Sequence, residues 1–431
     1  MKIDSIITWG FRVKRRMTGV RPSPLRPFAP SPLRPFVPSC LRPFVPSRPL
    51  LSPFLLSPFL LFSLLLFSFL PCPAFAQKQK TTTQTAVFTD NFKVKQKNRL
   101  VVDTRYTKIV FEEWEKNEID FTTTVTLKRA TEKEMEQVLN GLNITAKQFG
   151  KEVTYNLAFS SSFEKNKKNI TEGLEINLIV KIPKEIFLSV TSRYGNVEVA
   201  DVHLDFYADI TYGNLNGGNL YGLSNKINIK YGNLRMNNLS GSNNIISLKY
   251  GNFNIQRADQ LSFDIKYCNG TLREAGTLKL NAKYCTLKMD AVESLEFDSG
   301  YDKISIENSA GSLKGTMKYG TLNIASLKYS FNVDLSYSRV NIYETLASFT
   351  KIDILANQSN IVLNIPKNLS FEFEYSGKYT DFKDKDVRWN YATFEAGSNS
   401  FQVSGFYGNN HNSGRLVKIR ANYGSVAVFG R

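Results

Sequence analysis

Apolar and polar residues alternate along most of the chain after residue 91, and the alternation is organised around recurring tyrosines. With the tyrosine as position 0, apolar side chains fall at positions −4, −2, +3 and +5, and the positions between them are mostly polar. A period of two is typical of a strand with one buried face. The parity shifts by one residue between the tyrosine and position +3, so each unit predicts two short strands joined by a corner.

The corner carries a phrase that starts as Tyr-Gly-Asn and returns every 17 to 19 residues. A fixed short period marks a stacked repeat, in which each strand pairs with its copies about 4.8 Å above and below. The sequence therefore predicts an all-β fold, a single-stranded β-solenoid (β-helix) of about 17–19 residues per coil; a β-sandwich is the alternative. The phrase begins at Tyr194, Tyr212, Tyr231, Tyr250, Tyr267, Tyr284, Tyr301, Tyr319 and Tyr337.

Two details of the corner follow from the same pattern. The turn is predicted at the Gly-Asn dipeptide, because both residues tolerate positive φ. The tyrosine has the parity of the apolar position −2, which predicts a column of tyrosines stacked inside the core. An external aromatic strip that binds ligands is the alternative.

The pattern divides the chain into five segments. They are a low-complexity extension with an export signal (1–76), a loose Lys/Thr/Gln-rich lead-in (77–91), N-terminal coils with a short helix (92–185), the Tyr-Gly-Asn solenoid (186–345), and C-terminal coils with a cap (346–431). A cap is expected because an uncapped stack exposes strand edges and invites polymerisation.

The N-terminal coils contain two recognisable elements. Residues 100–111 have the phasing of the repeats around Tyr106 and are predicted to form the first coil. Residues 131–140 predict a short helix, since Thr131 and Glu134 make a capping box and Gly141 ends the helix.

The first 76 residues differ from the rest in composition. They hold ten basic residues and one acid, Asp4, so much of the formal net charge of +17 belongs to them. Residues 23–58 repeat a proline-rich unit that cannot continue a helix or a sheet. The apolar run 60–70 and a small-x-small end then predict an export signal that is cleaved between Ala76 and Gln77.

An uncleaved N-terminal anchor is the alternative to a cleaved signal, although the apolar run is shorter than the roughly 20 residues of a membrane span. Lipid modification of Cys72 is disfavoured, because Leu70 and Pro71 stand where a small residue is expected. The stretch before the apolar run is long for an export signal. It suggests either that the start codon was assigned too far upstream or that a DNA repeat has expanded there.

Several phrases in a fixed order carry a family resemblance: residues 106–114 with the first coil, Leu-Asn-Ile-Thr after the helix (142–145), Val-Lys-Ile-Pro-Lys (180–184), Tyr-Gly-Asn-Val-Glu-Val (194–199), and a terminal Tyr-Gly coil (417–428). In these phrases the chain resembles the bacterial putative-adhesin family of unknown function. The resemblance implies a β-solenoid fold, like that of an auto-transporter adhesin head. The resemblance implies an envelope or secreted location and supplies no catalytic residues.

Candidate catalytic chemistry is sparse. Two histidines, His203 and His411, cannot build a Ser-His-Asp triad or a His-rich metal site, and no Gly-rich phosphate loop lies between a strand and a helix. Glu112 and Glu113 are neighbours on a strand and face opposite sides. The sequence therefore predicts a protein that is not an enzyme, with no catalytic, cofactor-binding or metal-binding residues and no cofactor.

Cys268 and Cys285 follow the repeat tyrosine in neighbouring coils. Stacking places their α-carbons about 5 Å apart, within disulfide range, and an exported protein meets an oxidising compartment. We predict a Cys268–Cys285 disulfide; two small buried thiols in place of the corner glycine are the alternative. Cys40 and Cys72 are expected to leave with the signal.

A lysine precedes the tyrosine in several coils, and Lys230, Lys249, Lys266, Lys283 and Lys318 share one outward phase. Such a stripe suits an acidic polymer: lipopolysaccharide phosphate, an acidic glycan or extracellular DNA. Like charges about 5 Å apart repel by only about 1 kcal/mol in water. The simpler interpretation, which the sequence favours, is a solvated edge that discourages sideways aggregation.

Together these patterns predict an exported, non-catalytic β-solenoid of the cell envelope, a structural or surface-interaction (adhesin-like) module in the periplasm, on the outer-membrane surface or outside the cell. The alternatives are a carbohydrate-active β-helix enzyme, which carboxylates beside Lys or Arg in one groove would favour, and an end-to-end assembling scaffold. The expected partner is an acidic glycan, lipopolysaccharide or another envelope component. Specific nucleic-acid recognition is not expected, and membrane contact is expected only through an uncleaved signal.

Overall fold

The computed structural model describes residues 82–166, 172–386, 389–410 and 413–430, and most of them lie in strands. Two short helices interrupt the strands, α1 (Glu132–Gly141) and α2 (Ser161–Asn166), and neither comes near the length and apolar character that a membrane crossing requires. The strands are β1 (Thr82–Lys93), β2 (Asn98–Arg105), β3 (Lys108–Trp114), β4 (Glu118–Ala130), β5 (Leu142–Phe149), β6 (Glu152–Phe159), β7 (Leu174–Pro183), β8 (Ile186–Arg193), β9 (Val197–Val199), β10 (Phe206–Thr211), β11 (Leu215–Gly217), β12 (Ser224–Lys230), β13 (Leu234–Leu239), β14 (Asn243–Lys283), β15 (Thr286–Gly300), β16 (Lys303–Lys318), β17 (Thr321–Ser336), β18 (Arg339–Thr345), β19 (Lys351–Ile365), β20 (Phe371–Lys385), β21 (Trp389–Ala396), β22 (Ser400–Tyr407) and β23 (Leu416–Gly430).

The repeats stack in parallel, one coil on the next. Before the corner, β8 pairs with β10, β10 with β12 and β12 with β14, so Arg193, Thr211, Lys230 and Lys249 stand in one row. After the corner, β9, β11, β13 and β14 pair in the same order. From β14 onward most strands run through a corner and cover much of a coil. The predicted single-stranded β-solenoid is confirmed, and the β-sandwich alternative is wrong.

The core is built from the four apolar positions that the sequence predicts. Every apolar residue named at these positions is at most 6% exposed, with Val199 the least buried. Position −4 holds Ala208, Ile227, Ile246, Phe263, Leu280, Phe297 and Val333; position −2 holds Ile210, Ile229, Leu248, Ile265, Met317 and Leu335; position +3 holds Val197, Leu215, Leu234, Phe253, Leu287, Ile304, Leu322 and Val340; position +5 holds Val199, Met236, Ile255, Leu272, Met289, Ile306, Ile324 and Ile342. Each large side chain so buried stabilises the fold by about 1.5–3 kcal/mol.

The predicted first coil is confirmed. Strands β2 and β3 flank Tyr106 and pair in parallel with β8 and β9, so that Arg105 lies beside Arg193. On their other side they pair with β6 and β7, and antiparallel strands β1, β4 and β5 complete this end. The capping box of α1 is also confirmed, since Glu134 N–H donates to Thr131 Oγ1 and Thr131 N–H donates to Glu134 Oε2.

Three local features differ from the sequence predictions. Most of the lead-in belongs to strand β1 (Thr82–Lys93), because β4 offers it an antiparallel partner. The second helix, α2, was not predicted. Gly141 belongs to α1, which runs directly into β5; a Cβ there would overlap the ring of Phe163, so glycine serves close packing and not a turn.

At the C-terminal end, the last Tyr-Gly coil is not the last layer. Strand β23 pairs in parallel with β19 on one side and with β20 on the other. Strands β22 and β21 continue beyond β20 in antiparallel order. The segment between β19 and β23 therefore lies beyond the last Tyr-Gly coil.

Candidate functional site

The corner residue with positive φ is the tyrosine itself. Each repeat tyrosine from Tyr194 to Tyr337 has φ between 51° and 62° and is 41–49% exposed. The predictions of a turn at Gly-Asn and of tyrosines inside the core are therefore wrong. A parity argument assumes extended backbone, whereas a single left-handed residue redirects its own side chain outward.

The tyrosine rings form one continuous outer ladder. From Tyr106 to Tyr337, neighbouring ring centroids lie 4.8–5.0 Å apart and the rings are within 17° of parallel. A left-handed L-residue costs roughly 1–2 kcal/mol, and each stacked pair contributes about 0.5–1.5 kcal/mol. Stacking therefore offsets the strain of the corner, and the ring faces are occupied by neighbouring rings.

Position +1 is the inner side of the corner, and the space there is limited by backbone. A Cβ on Gly213, Gly232 or Gly251 would overlap the carbonyl oxygen of the corner glycine one coil earlier. In later coils a side chain enters this position and accepts the N–H of the position +1 residue one coil earlier. The acceptors are Cys285 for Cys268, Asp302 for Cys285, Ser338 for Gly320 and Ser359 for Ser338.

Cys268 and Cys285 lie in adjacent coils at this inner position, as buried free thiols. Cys268 N–H donates to Cys285 Sγ at 3.4 Å, and each thiol donates to the carbonyl of the lysine two residues before it, at 3.2 Å. Side-chain hydrogen bonding between the two thiols lowers the pKa of the Cys268 thiol, and that interaction together with burial raises the pKa of the Cys285 thiol. The disulfide stays a prediction.

Asp302 is the buried carboxylate of the inner column, 4% exposed. It accepts Cys285 N–H at 2.6 Å, the Ser299 hydroxyl at 2.7 Å and Gly300 N–H at 2.8 Å. Burial outweighs these hydrogen bonds and raises the pKa of Asp302 above its ordinary value. The sequence pattern missed this residue, because Tyr301-Asp302-Lys303 looks like a decayed copy of the repeat.

Position +2 forms an outer amide ladder in the first coils. Asn196 Oδ1 accepts both the backbone N–H and the side-chain N–H of Asn214, each at 3.0 Å. Asn214 accepts from Asn233, and Asn233 from Asn252, in the same way. The asparagines predicted as turn formers therefore join the coils through their side chains.

The predicted lysine column occupies position −1 on the outer surface. Lys230 and Lys249 are direct neighbours in the parallel register, and the ammonium groups of Lys266 and Lys283 lie 5.3 and 5.7 Å from the ring centroids of Tyr267 and Tyr284. Lys318 continues the row after Gly300. Among the described residues, none of these five lysines forms an ion pair.

Lysines at other positions of the solenoid behave differently, because several of them are paired. Lys279 lies 3.9 Å from Glu296, Lys288 lies 3.7 Å from Glu307, and Lys328 lies 3.6 Å from Glu293. On the strand face itself, position −3 carries acids separated by neutral hydrogen-bond donors. Asn281 donates to Asp264 and Thr316 donates to Asp298.

We call positions −1, 0 and +2 of the nine coils from Tyr194 to Tyr337 the basic corner. These positions carry cations, phenol hydroxyls, amides and other neutral side chains, and no carboxylate occurs among them. The cations are Arg193, Lys230, Lys249, Lys266, Lys283, Lys303, Lys318 and Arg339. The corner therefore presents a track of hydrogen-bond donors and positive charge with a repeat of 4.8–5.0 Å.

A second polar surface lies across β23, β20, β22 and β21, where a shallow groove of about 290 Å³ contains Glu374, Glu395, Lys418 and Arg420. Lys418 pairs with Glu374 at 2.5 Å, and Arg420 pairs with Asp353 at 3.1 Å. Burial alone would raise the pKa of Asp353, but Lys351 and Arg420 outweigh it and lower that pKa. Most charges near the groove therefore satisfy one another.

The remaining predicted residues contribute no further site. His203 Nε2 lies 3.1 Å from Glu113 Oε2 and stacks on Tyr221. His411, Ala76, Gln77 and the first two cysteines, 40 and 72, fall outside the described residues. Within the described ranges, no group of three or more His, Cys, Asp and Glu side chains is arranged to hold a metal ion.

Comparison with known proteins adds three solved structures. They are a "putative cell adhesion protein" from Clostridium sporogenes (9% identity, TM-score 0.18, covering 81% of this chain and 100% of that chain), a "putative adhesin" from Bacteroides fragilis (10%, 0.23, 80% and 97%) and a "putative lipid binding protein" from Parabacteroides distasonis (12%, 0.22, 64% and 93%). No protein-family model and no curated protein matches the sequence. The fold assignment rests on the chain's own strand pairing.

Proposed function

We propose that the protein is an exported, non-catalytic surface-interaction module of the cell envelope that binds an acidic polymer, an acidic glycan or lipopolysaccharide, along the basic corner. One observation carries the proposal. Five lysines share one column without an ion pair among the described residues, while Lys279, Lys288 and Lys328 at other positions are paired.

The solvated-edge interpretation explains this column less well. Lysines protect a strand edge by blocking the approach of another chain to unpaired backbone groups. The column, however, crosses the stack from coil to coil, where parallel neighbours already pair the strands on both sides. The backbone at the lysines therefore offers no open edge that needs shielding.

Electrostatics favours an extended acidic ligand on this track. Neighbouring ammonium groups one coil apart repel by about 1 kcal/mol in water before salt screening, and a polyanion relieves that repulsion in several coils at once. The acids at position −3, such as Asp264 and Asp298, lie on the same outer face two residues before the lysine column, and they repel the same ligand from the rest of the strand. The two columns together direct a polyanion to the corner.

Heparin retention tests the proposal. The triple variant Lys249→Gln, Lys266→Gln, Lys283→Gln is expected to elute from immobilised heparin at a much lower salt concentration than the wild type. The matched control Lys279→Gln, Lys288→Gln, Lys328→Gln removes the same charge from ion-paired positions and is expected to elute close to the wild type. If both triple variants lost heparin retention equally, the loss would follow from net charge alone, and binding at the basic corner would be rejected.

A carbohydrate-active enzyme is the second candidate, and the groove of Glu374, Glu395, Lys418 and Arg420 is the observation in its favour. Lys418 forms an ion pair with Glu374 there, so the lysine of the groove is neutralised by one of its carboxylates. We expect no new reducing ends when acidic polysaccharides are incubated with the protein. Release of reducing ends that Glu374→Gln abolishes would establish the enzyme instead.

Assembly end to end is disfavoured by the two ends of the stack, since antiparallel strands β1 and β5 at one end and β21 and β22 at the other interrupt the parallel register.

Export rests on the signal predicted from sequence. Mass spectrometry of the protein from cell fractions tests it: a terminus at Gln77 in periplasm or medium is expected, and an intact terminus in the inner membrane would mean an anchored module.

A further inference from the structure

The tyrosine ladder is interrupted at one coil. Gln358 occupies position 0 there with φ 47°, the same left-handed conformation as the tyrosines. The coil before it ends the long ladder at Tyr337, and beyond it Tyr423 and Tyr379 stack again, 5.0 Å apart and within 4° of parallel. The register aligns Ser336 with Asn357 and Asn357 with Asn422, so Gln358 lies between Tyr337 and Tyr423.

This interruption separates two ring faces by two coils. At about 4.8 Å per coil, the rings of Tyr337 and Tyr423 are about 10 Å apart. A ring placed midway would contact both at about 5 Å, which is the spacing of the ladder itself. Gln358 is exposed, and its unbranched side chain can turn outward without moving the backbone.

The surroundings of the interruption are polar and concave. An open cavity of about 410 Å³ adjoins the interruption on the Tyr337 side, and its lining includes Asp302, Tyr319, Tyr337, Arg339, Gln358 and Asn360. Arg339 and Asn360 are neighbours in the register at position +2, and exposed amides of Asn357 and Asn422 flank the other side. A polar ring that replaced the Gln358 side chain would therefore meet the ring of Tyr337, the guanidinium of Arg339 and these amides.

We propose that Tyr337 and Tyr423 hold one hexuronate ring of an acidic glycan between them, with Gln358 displaced outward and Arg339 binding the carboxylate. The C–H faces of a pyranose pack on aromatic rings, its hydroxyl groups reach the flanking amides, and guanidinium binds carboxylate with two parallel hydrogen bonds. The site deepens the proposed function, on which it rests, because it names the unit of the polymer that is recognised at one end of the basic corner.

Closing the interruption tests the site. In Gln358→Tyr, the new ring continues the ladder in a backbone conformation that tyrosine already adopts elsewhere, so the fold is expected to be kept or stabilised. Calorimetric titration with trigalacturonate is expected to show at least a tenfold loss of affinity. Gln358→Ala, which opens the same space, is expected to bind as well as the wild type or a few-fold better. Wild-type affinity in Gln358→Tyr would overturn the proposal.

The carboxylate contact has its own control. Arg339→Gln is expected to weaken trigalacturonate about tenfold while leaving the weaker binding of its methyl ester unchanged; an equal loss for both ligands would overturn the role of Arg339. A failure of this site can be distinguished from a failure of polyanion binding at the basic corner. Gln358→Tyr keeps every lysine and should keep heparin retention, whereas the lysine triple should lose heparin retention but bind trigalacturonate within a few-fold of wild type.

Discussion

The inner and outer sides of the same corner, positions +1 and −1, lie two residues apart and tolerate change differently. Inside, position +1 accepts glycine, or a side chain that accepts the N–H of the position +1 residue one coil earlier, as Asp302 and Ser338 do. Outside, position −1 carries Arg193, Thr211, lysine, Gly300 or Ser336 at unchanged tyrosine φ and ring spacing. The fold therefore does not need lysine at this position, and the recurrence of lysine calls for a reason outside folding.

The largest effect is expected inside the corner, for Gly232→Ala. Its Cβ would overlap the carbonyl oxygen of Gly213, which cannot move without parting two coils. We expect a loss on the order of 3 kcal/mol in the free energy of unfolding, measured by urea denaturation. Gly300→Ala is the matched control, since its Cβ meets nothing closer than 4.0 Å, and it should change stability by less than about 0.5 kcal/mol. Equal losses would contradict the comparison.

The next effect concerns Cys268 and Cys285. If the predicted disulfide forms, it closes a loop across 17 positions and stabilises the chain by about 3 kcal/mol. Urea denaturation with and without reductant should then differ by that amount, and the protein unfolded without reductant should show no thiols from this pair. Two titratable thiols and no effect of reductant would establish the reduced pair that the structure shows.

Removing the Asp302 carboxylate should cost about 1–3 kcal/mol, because Asp302→Ala leaves Cys285 N–H and Gly300 N–H without their acceptor. Asp302→Ser should recover part of this, as serine serves the same position at Ser338 and Ser359.

The same residue predicts a pH dependence. Burial raises the pKa of Asp302 above 3.8, so the folded chain holds the proton more tightly than the unfolded chain. That contribution is present in full below about pH 4 and is lost as the pH rises through the folded-state pKa. The stability advantage of wild type over Asp302→Ser should therefore shrink from pH 4 to pH 7. An advantage that is constant or grows would contradict the raised pKa.

A smaller effect is expected on the outer side. Tyr250→Ala loses two stacked neighbours, Tyr231 and Tyr267, and keeps a left-handed backbone, which predicts a loss of about 1–3 kcal/mol. Tyr250→Gly loses the same neighbours but adopts positive φ without strain, and should be about 1 kcal/mol more stable than the alanine variant. The reverse order in thermal unfolding would mean that the tyrosine is not strained at this corner.

Much of the solenoid is readable from sequence, because burial at positions −4, −2, +3 and +5 depends only on local parity. The outward tyrosine is not, since parity fails at a left-handed residue. The sequence did hold a usable signal. Cys268 and Cys285 replace glycine at position +1, and cysteine does not favour positive φ. The glycine at this position is therefore required by limited space and not by its backbone conformation. The coil of Gln358 was also detectable, because Ile354, Ala356, Ile361 and Leu363 keep the four apolar positions.

The order of the C-terminal strands had no such signal. Strand β23 inserts between β19 and β20, and local alternation says nothing about which distant strand is the neighbour. The unpaired lysines were visible as a column, but the absence of ion-pair partners in the described part of the chain depends on side chains from other coils.

The salt dependence of heparin binding tests the central claim most directly, that the lysines of the outer corner bind polyanions without supporting the fold. For a triple Gln variant of Lys249, Lys266 and Lys283, the slope of log affinity against log salt should become shallower by roughly two to three. Its urea midpoint should equal that of the wild type. An unchanged slope, or a slope that changes only together with a loss of stability, would contradict the account.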